Sequence, residues 1–248
     1  MTRPWFEADW PAPRGVRAVS TLRGDARSGI STAPNGCFNL GDHVGDNPAA
    51  VAENRRRLKA EAGLPCEPAW LSQVHGIGVA DLDSPAAPGP ADAAIARGSA
   101  KVCAILTADC LPIVFASDSG DTVAAAHAGW RGLAAGVIEA TVRAMDVSPG
   151  SLVAWLGPAI GPEHFEVGTE VRDAFLEGDP KAGEAFEPNA RGRFMADLGL
   201  LARRQLQGLG VSRIYGGGEC TFTRADRYYS HRRDGTTGRQ ATLIWREG

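Results

Sequence analysis

Three segments of the chain place a reactive side chain where an apolar run meets glycine. They are SQVHG at 72–76, TADCLP at 107–112 and AAAHAGWRG at 124–132. His75, Cys110 and His127 each fall at or just past the end of a strand-like run, where rigid scaffolds present functional groups to a cleft. Two imidazoles and a thiolate form a three-ligand set for zinc with a fourth position left open, as catalytic zinc has. The same set matches the equatorial ligands of a copper centre. The separations, 35 residues from 75 to 110 and 17 from 110 to 127, are too long for a structural zinc finger. A metal-free reading stands beside this one: Cys110 as thiolate nucleophile, His127 as its base, and Asp109 or His75 as the orienting group. Each residue taken singly also fits plain packing at a strand end. Cys103, inside an apolar run, is the packing case.

Anion-binding potential gathers elsewhere. Arg131 sits at the start of a predicted helix, where free N–H groups favour phosphate. The stretch RYYSHRRDGTTGR at 227–239 holds Arg227, Arg232, Arg233 and Arg239, whose forks suit phosphate or carboxylate; a solvated hairpin fits the same residues. His43, His164 and His231 have no close partner in sequence. The glycine-rich runs GGGEC and LGPAIGP have neither P-loop nor GxGxxG form, so they imply no nucleotide fold.

The elements that must position these groups alternate irregularly. Strand-like runs lie at 16–22, 70–74, 78–82, 101–107, 111–116, 122–126, 152–156, 214–215 and 241–245, with SDSGD at 117–121 as hairpin-turn chemistry. Helical patterns cover 49–62, 130–145, 167–176 and 197–209; the first is capped by Asn47, opened by Pro48 and stopped by Gly63. The loop at 24–47 is too long for a mere connector, which marks it as functional. The short stretch SPAAPGPA at 84–91 reads as a loop inside one domain. Strands dominate the middle and helices flank it, so the expected class is α+β with mixed sheets, one domain over residues 1–248.

Composition sets the outer bounds. With 248 residues, 44% hydrophobic and 22% charged, the chain is neither a disordered tail nor a fibrous repeat. Its 26 basic and 29 acidic residues leave a charge of −3, against a dedicated binder of nucleic acid or anionic membrane. No stretch approaches the roughly 18 apolar residues of a membrane span. The opening MTRPWFEADWPAPRG lacks the apolar core of a signal peptide. Five scattered cysteines, an odd number, fit reduced thiols in a cytoplasmic protein better than a disulfide framework.

Taken together, FNLGDHVGDNP, SQVHG, TADCLPI, HAGWRG, LGPAIGP and YYSHRRDGTTGR resemble the YfiH-type laccase-domain family. It is also called the multicopper polyphenol oxidase family and, more recently, purine nucleoside phosphorylase. The resemblance runs from about residue 21 to 245. It implies a single-domain α/β/β/α sandwich, a fold shared with cysteine-dependent toxin deamidases. By motif position it implies a metal site on His75, Cys110 and His127, holding zinc or, at the same place, copper. The activities it implies are phosphorolysis of adenosine, inosine, guanosine and methylthioadenosine, and deamination of adenosine. A bacterial branch is described as a peptidoglycan-editing amidase. The implied partners are purine nucleosides and phosphate, met by a monomer or weak homodimer without nucleic acid or membrane. Deamination has a clear route, because a metal in an open site brings the pKa of bound water toward neutrality for attack at purine C6. Phosphorolysis needs an anion pocket, ribose anchors and an acid for the leaving base. Arg131, Arg232 and the Asn39 loop are the candidates for the first two, and Asp109 for proton transfer or for orienting the metal ligands. One departure is Ser28 in SGIS at 28–31, where the family pattern pairs glycines, which bears on substrate range. Five histidines are too few for a true multicopper oxidase, so polyphenol oxidation is expected only as a side activity of a copper-loaded form.

Overall fold

The computed structural model describes residues 3–86 and 89–248. Residues 87 and 88 of the stretch read as a loop at 84–91 lie outside the described residues. Numbered in chain order, one sheet runs β1 (Trp5–Glu7), β2 (Val16–Thr21), β14 (Gln240–Arg246), β6 (Val102–Thr107), β3 (Ala69–Trp70). In it β14 is antiparallel to both neighbours and β3 is parallel to β6. A second sheet runs β13 (Arg213–Gly216), β9 (Leu152–Leu156), β7 (Leu111–Ser117), β8 (Val123–Ala128), β5 (Ala93–Ala96), β4 (Val79–Asp81). Its outer pairs are parallel and its inner pairs antiparallel. A small antiparallel sheet of β10 (Glu166–Val167), β12 (Phe194–Ala196) and β11 (Phe186–Pro188) lies apart in the pairing.

Side-chain alternation makes the two large sheets into a sandwich. Cys103, Ile105 and Ile244 meet Val114, Val123, Ala125, Val153 and Trp155 between the sheets. The opposite residues of the first sheet, Val102, Ala104, Leu106, Leu243 and Trp245, pack against Leu58 and Ala62 of α1 (Pro48–Ala62). Leu111, Ile113, Phe115 and Leu156 of the second sheet are covered by α2 (Trp130–Ala135), α3 (Val137–Met145), α4 (Thr169–Leu176) and α5 (Leu198–Gly208). The order is therefore helix, sheet, sheet, helices, the α/β/β/α sandwich expected. Each fully buried Leu, Ile or Phe in these layers contributes about 1.5–3 kcal/mol. Cys103 is a core residue, as its apolar run implies.

The capping signals of α1 hold in detail. Asn47 accepts from the Ala49 N–H, Pro48 opens the helix, and Gly63 ends it at φ 67°. The helix expected at 130–145 is instead two, split where Gly136 takes φ 98°. The run at 70–74 contributes only Ala69–Trp70 to a sheet; the rest is loop. The segment at 227–239 is not an exposed hairpin. Tyr228 and Tyr229 are fully buried, and Ser230 caps a short helix, α6 (His231–Asp234). No helix among the described residues is long and apolar enough to cross a membrane.

Candidate functional site

Three chain reversals at one end of the second sheet bring the sequence-predicted trio together. His127 is the penultimate residue of β8, on the face that looks between the sheets, and is 3% exposed. Cys110, half-buried, sits in the turn from β6 to β7, after Asp109 at φ 92°. His75 is exposed, in the loop from β3 to β4, at φ 61°. The ligand atoms of His75, Cys110 and His127 all lie within 4.8 Å of one another. Cys110 Sγ is 3.9 Å from His75 Nε2, and the two imidazole rings meet edge to face at 4.7 Å. The trio thus steps from solvent at His75 to core at His127.

Gly129 makes that approach possible. A Cβ there would lie 2.8 Å from Cys110 Sγ and 3.2 Å from the His75 ring. The glycine in HAGWRG therefore lets the start of α2 close over the trio.

Sequence reasoning missed Asp92, the carboxylate beneath the site. It is fully buried, just ahead of β5, and its Oδ1 accepts from His127 Nδ1 at 2.8 Å. It also accepts from the backbone N–H groups of Val74 (3.2 Å), His75 (2.9 Å) and Gly76 (2.7 Å). Antiparallel pairing of Ala93 with Ala126 sets Asp92 opposite His127, whose own N–H donates to the Asp92 carbonyl at 2.7 Å. The only sequence signal was an acid at the head of an Ala-rich run, ADAAIA, that has weak strand propensity.

Charge follows this wiring. Burial would raise the Cys110 thiol, but hydrogen bonds and charge from His127 and His75 outweigh it and bring it down to about 6. Burial would lower His127, yet Asp92 and Cys110 hold it up at about 9. Burial also opposes ionisation of Asp92, and the His127 ring with the Gly76 and Val74 N–H groups reverses that, leaving it below the usual carboxylate value.

The other sequence candidates are placed differently. Asp109 does not orient the histidines. Its Oδ1 accepts from Thr221 Oγ1 at 2.6 Å and its Oδ2 from the Arg232 N–H at 2.7 Å, so it ties the turn before Cys110 to the chain at 221–232. Asn39 is fully buried, with Oδ1 accepting from the Gly41 and Arg239 N–H groups and Nδ2 donating to Gly41 O and Asp46 Oδ2. All four of its hydrogen-bonding sites are taken, so it fixes the long loop and has nothing left for a ribose. Arg232 donates from Nη1 to the Glu166 carbonyl at 2.9 Å. Arg131 is exposed on the first turn of α2, its guanidinium 4.5 Å from the Trp130 ring centroid. Ser28 points into its own loop, where its hydroxyl accepts from the Asp25 N–H at 2.7 Å.

Residues 17–247 match the family model described as multi-copper polyphenol oxidoreductase laccase. The chain belongs to this family. Over 97% of its length it is 53% identical to the purine nucleoside phosphorylase of Pseudomonas aeruginosa, covering 98% of that protein. It is 50% identical to the Escherichia coli purine nucleoside phosphorylase YfiH, over 95% of this chain and 96% of the relative. A Neisseria meningitidis crystal structure superposes with a TM-score of 0.94 at 46% identity, over 99% of this laccase-family chain and all of the other. YlmD from Geobacillus stearothermophilus superposes with a TM-score of 0.91 at 31% identity, over 100% and 98% of the two chains.

Proposed function

We propose that the protein is a metal-dependent purine nucleoside phosphorylase that also deaminates adenosine, working at His75, Cys110 and His127. The observation that carries this reading is the convergence of two imidazoles and an acidified thiol on one point, open to solvent at His75. Relatives named purine nucleoside phosphorylase, about half identical over nearly the whole chain, support the choice of substrate.

The donor set fits a metal. Two imidazole nitrogens and a thiolate suit zinc or copper, and His127 has the carboxylate partner that metal-binding histidines commonly have. His75, Cys110 and His127 would hold the ion, and when bound it supplies a Lewis acid beside the reacting purine nucleoside. In phosphorolysis a phosphate oxygen bonds to C1′ as the C1′–N9 bond breaks, and the departing purine takes a proton. In deamination water adds at C6 and ammonia leaves. Among the arginines predicted for phosphate, Arg131 is the better placed. It is exposed on the helix turn that follows Gly129, whereas the Arg232 guanidinium is engaged with Glu166. Asp109, buried next to Cys110, is the candidate for proton transfer to the leaving base, through the lone pairs that Thr221 and the Arg232 N–H leave open. Adenosine, inosine, guanosine and methylthioadenosine are the nucleosides to test.

The test is a phosphate-dependence assay on zinc-loaded protein of known metal content, with adenosine and inosine as substrates and a Cys110→Ala control. Phosphate-dependent release of free base and ribose 1-phosphate, lost by at least a thousandfold in the control, is expected. Inosine formed from adenosine without phosphate reports the deaminase half. No base release and no inosine from loaded protein overturns the nucleoside reading.

One observation favours a second reading. Cys110, His127 and Asp92 have the arrangement of a nucleophile, a base and an orienting carboxylate, which suits a cysteine-type amidase acting on peptidoglycan precursors. That activity survives chelation and is abolished by alkylating Cys110. A multicopper oxidase is poorly supported, because the trio is the one metal-apt cluster of His, Cys, Asp and Glu among the described residues. His164 instead stacks on Phe222, and His231 Nδ1 faces the Gly235 carbonyl. Polyphenol oxidation fits only a copper-loaded form of the same single site.

A further inference from the structure

We infer that Asp92 is the positioning residue of the site, a single carboxylate that sets both imidazoles at once. The inference rests on the metal reading of the trio. Four donors converge on Asp92: the N–H groups of Val74, His75 and Gly76, and the ring of His127. An ionised carboxylate accepts at about four sites and donates at none, so it satisfies the whole set. Asparagine offers one oxygen and a donor NH2 in place of the second. Whichever way it is turned, two of the four donors face another donor.

Each half of the arrangement has a consequence for the ligands. Because His127 Nδ1 is turned to Asp92, the lone pair that remains for a metal is on Nε2, the side facing His75 and Cys110. The opposite tautomer would present an N–H to the cation. His75, meanwhile, occupies a left-handed conformation at φ 61° that a non-glycine residue seldom adopts. The three N–H bonds to Asp92 hold the chain in that turn and so keep the His75 ring over Cys110. Asp92 is itself fixed by the sheet, since its N–H donates to Gly78 O and its carbonyl accepts from His127.

Chelator competition measures the zinc affinity of folded wild type, Asp92→Asn, His75→Ala, His127→Ala and the two double variants. Asp92→Asn is expected to weaken zinc by about 10–100-fold, and by less in either alanine background, where one of its routes is already gone. Wild-type affinity in Asp92→Asn, or an equal penalty in all backgrounds, overturns the inference, since a purely structural role would not depend on the imidazoles. Nitrogen-15 NMR of zinc-loaded wild type gives a check that needs no variant to fold. His127 should carry its proton on Nδ1 with Nε2 on the metal, and a protonated Nε2 overturns the inference. Failure of the metal reading looks different: wild type itself takes up no zinc.

Discussion

Two buried carboxylates flank the site, Asp109 beside Cys110 in the chain and Asp92 beneath His127, and only Asp92 bonds a histidine. Asp92 and Asp109 are both buried, both at strand ends, and both accept backbone N–H bonds. Asp92 adds an imidazole to that set, while Asp109 adds a threonine hydroxyl. The difference lies in sheet register. Asp92 faces His127 across an antiparallel ladder, whereas Asp109 sits in a turn at φ 92° that sends its side chain to Thr221 and Arg232. Adjacency in sequence to Cys110 thus says less about electrical coupling to the site than pairing across the sheet does.

Alanine at each position separates the two carboxylates. Asp92→Ala strands three backbone donors and the ring of His127, and removing one partner of a buried pair costs about 3–5 kcal/mol. Urea unfolding of metal-free protein should show that loss, together with impaired zinc uptake. Asp109→Ala leaves Thr221 and the Arg232 N–H without an acceptor, a loss of about 1–3 kcal/mol. Its zinc affinity should stay within about twofold of wild type, since Asp109 bonds Thr221 and the Arg232 N–H and touches neither histidine. Equal zinc penalties in the two variants would erase the distinction between the carboxylates.

Much of the frame was legible because it rests on local signals. Short apolar runs located the long strands, and Asn47, Pro48 and Gly63 bounded α1. His75, Cys110 and His127 stood out as reactive groups at strand ends, and the fold brings them together. What escaped has non-local causes. β5 is AAIA, four buried residues whose pairing with β4 and β8 comes from the sandwich and not from propensity. Asp92 escaped with it, because its partner is 35 residues away and meets it only once β5 and β8 are in register. Asn39 misled for the opposite reason. An asparagine in a glycine-rich loop looks like a ligand anchor, but burial and four internal hydrogen bonds make it the loop's own fastener. For the tail arginines the bland alternative was a solvated hairpin, and the buried Tyr228 and Tyr229 with the short helix α6 replace that hairpin while leaving Arg232 exposed.

The mildest test begins from the unaltered chain and sets two cysteines of one strand–turn unit against each other. Cys103 is buried in β6, and burial pushes its thiol far up. Cys110 lies beyond the strand end, where the two histidines more than offset burial and bring its thiol down to about 6. The thiolate is the species that reacts with iodoacetamide. In metal-free wild type the Cys110 rate should therefore be nearly flat from pH 7 to pH 9 and fall about tenfold between pH 7 and pH 5, as thiolate is protonated through its pKa. Cys103 should stay unmodified until the protein unfolds, as mass spectrometry of the two peptides would show. A Cys110 profile that keeps rising to pH 9 would mean that His127 carries no proton at neutral pH. The carboxylates then separate once more. Asp92→Ala removes a charge that holds His127 protonated, so the Cys110 profile should move to higher pH. Asp109→Ala should leave it where it was, because the hydrogen bonds of Asp109 run to Thr221 and Arg232 and none reaches the imidazolium.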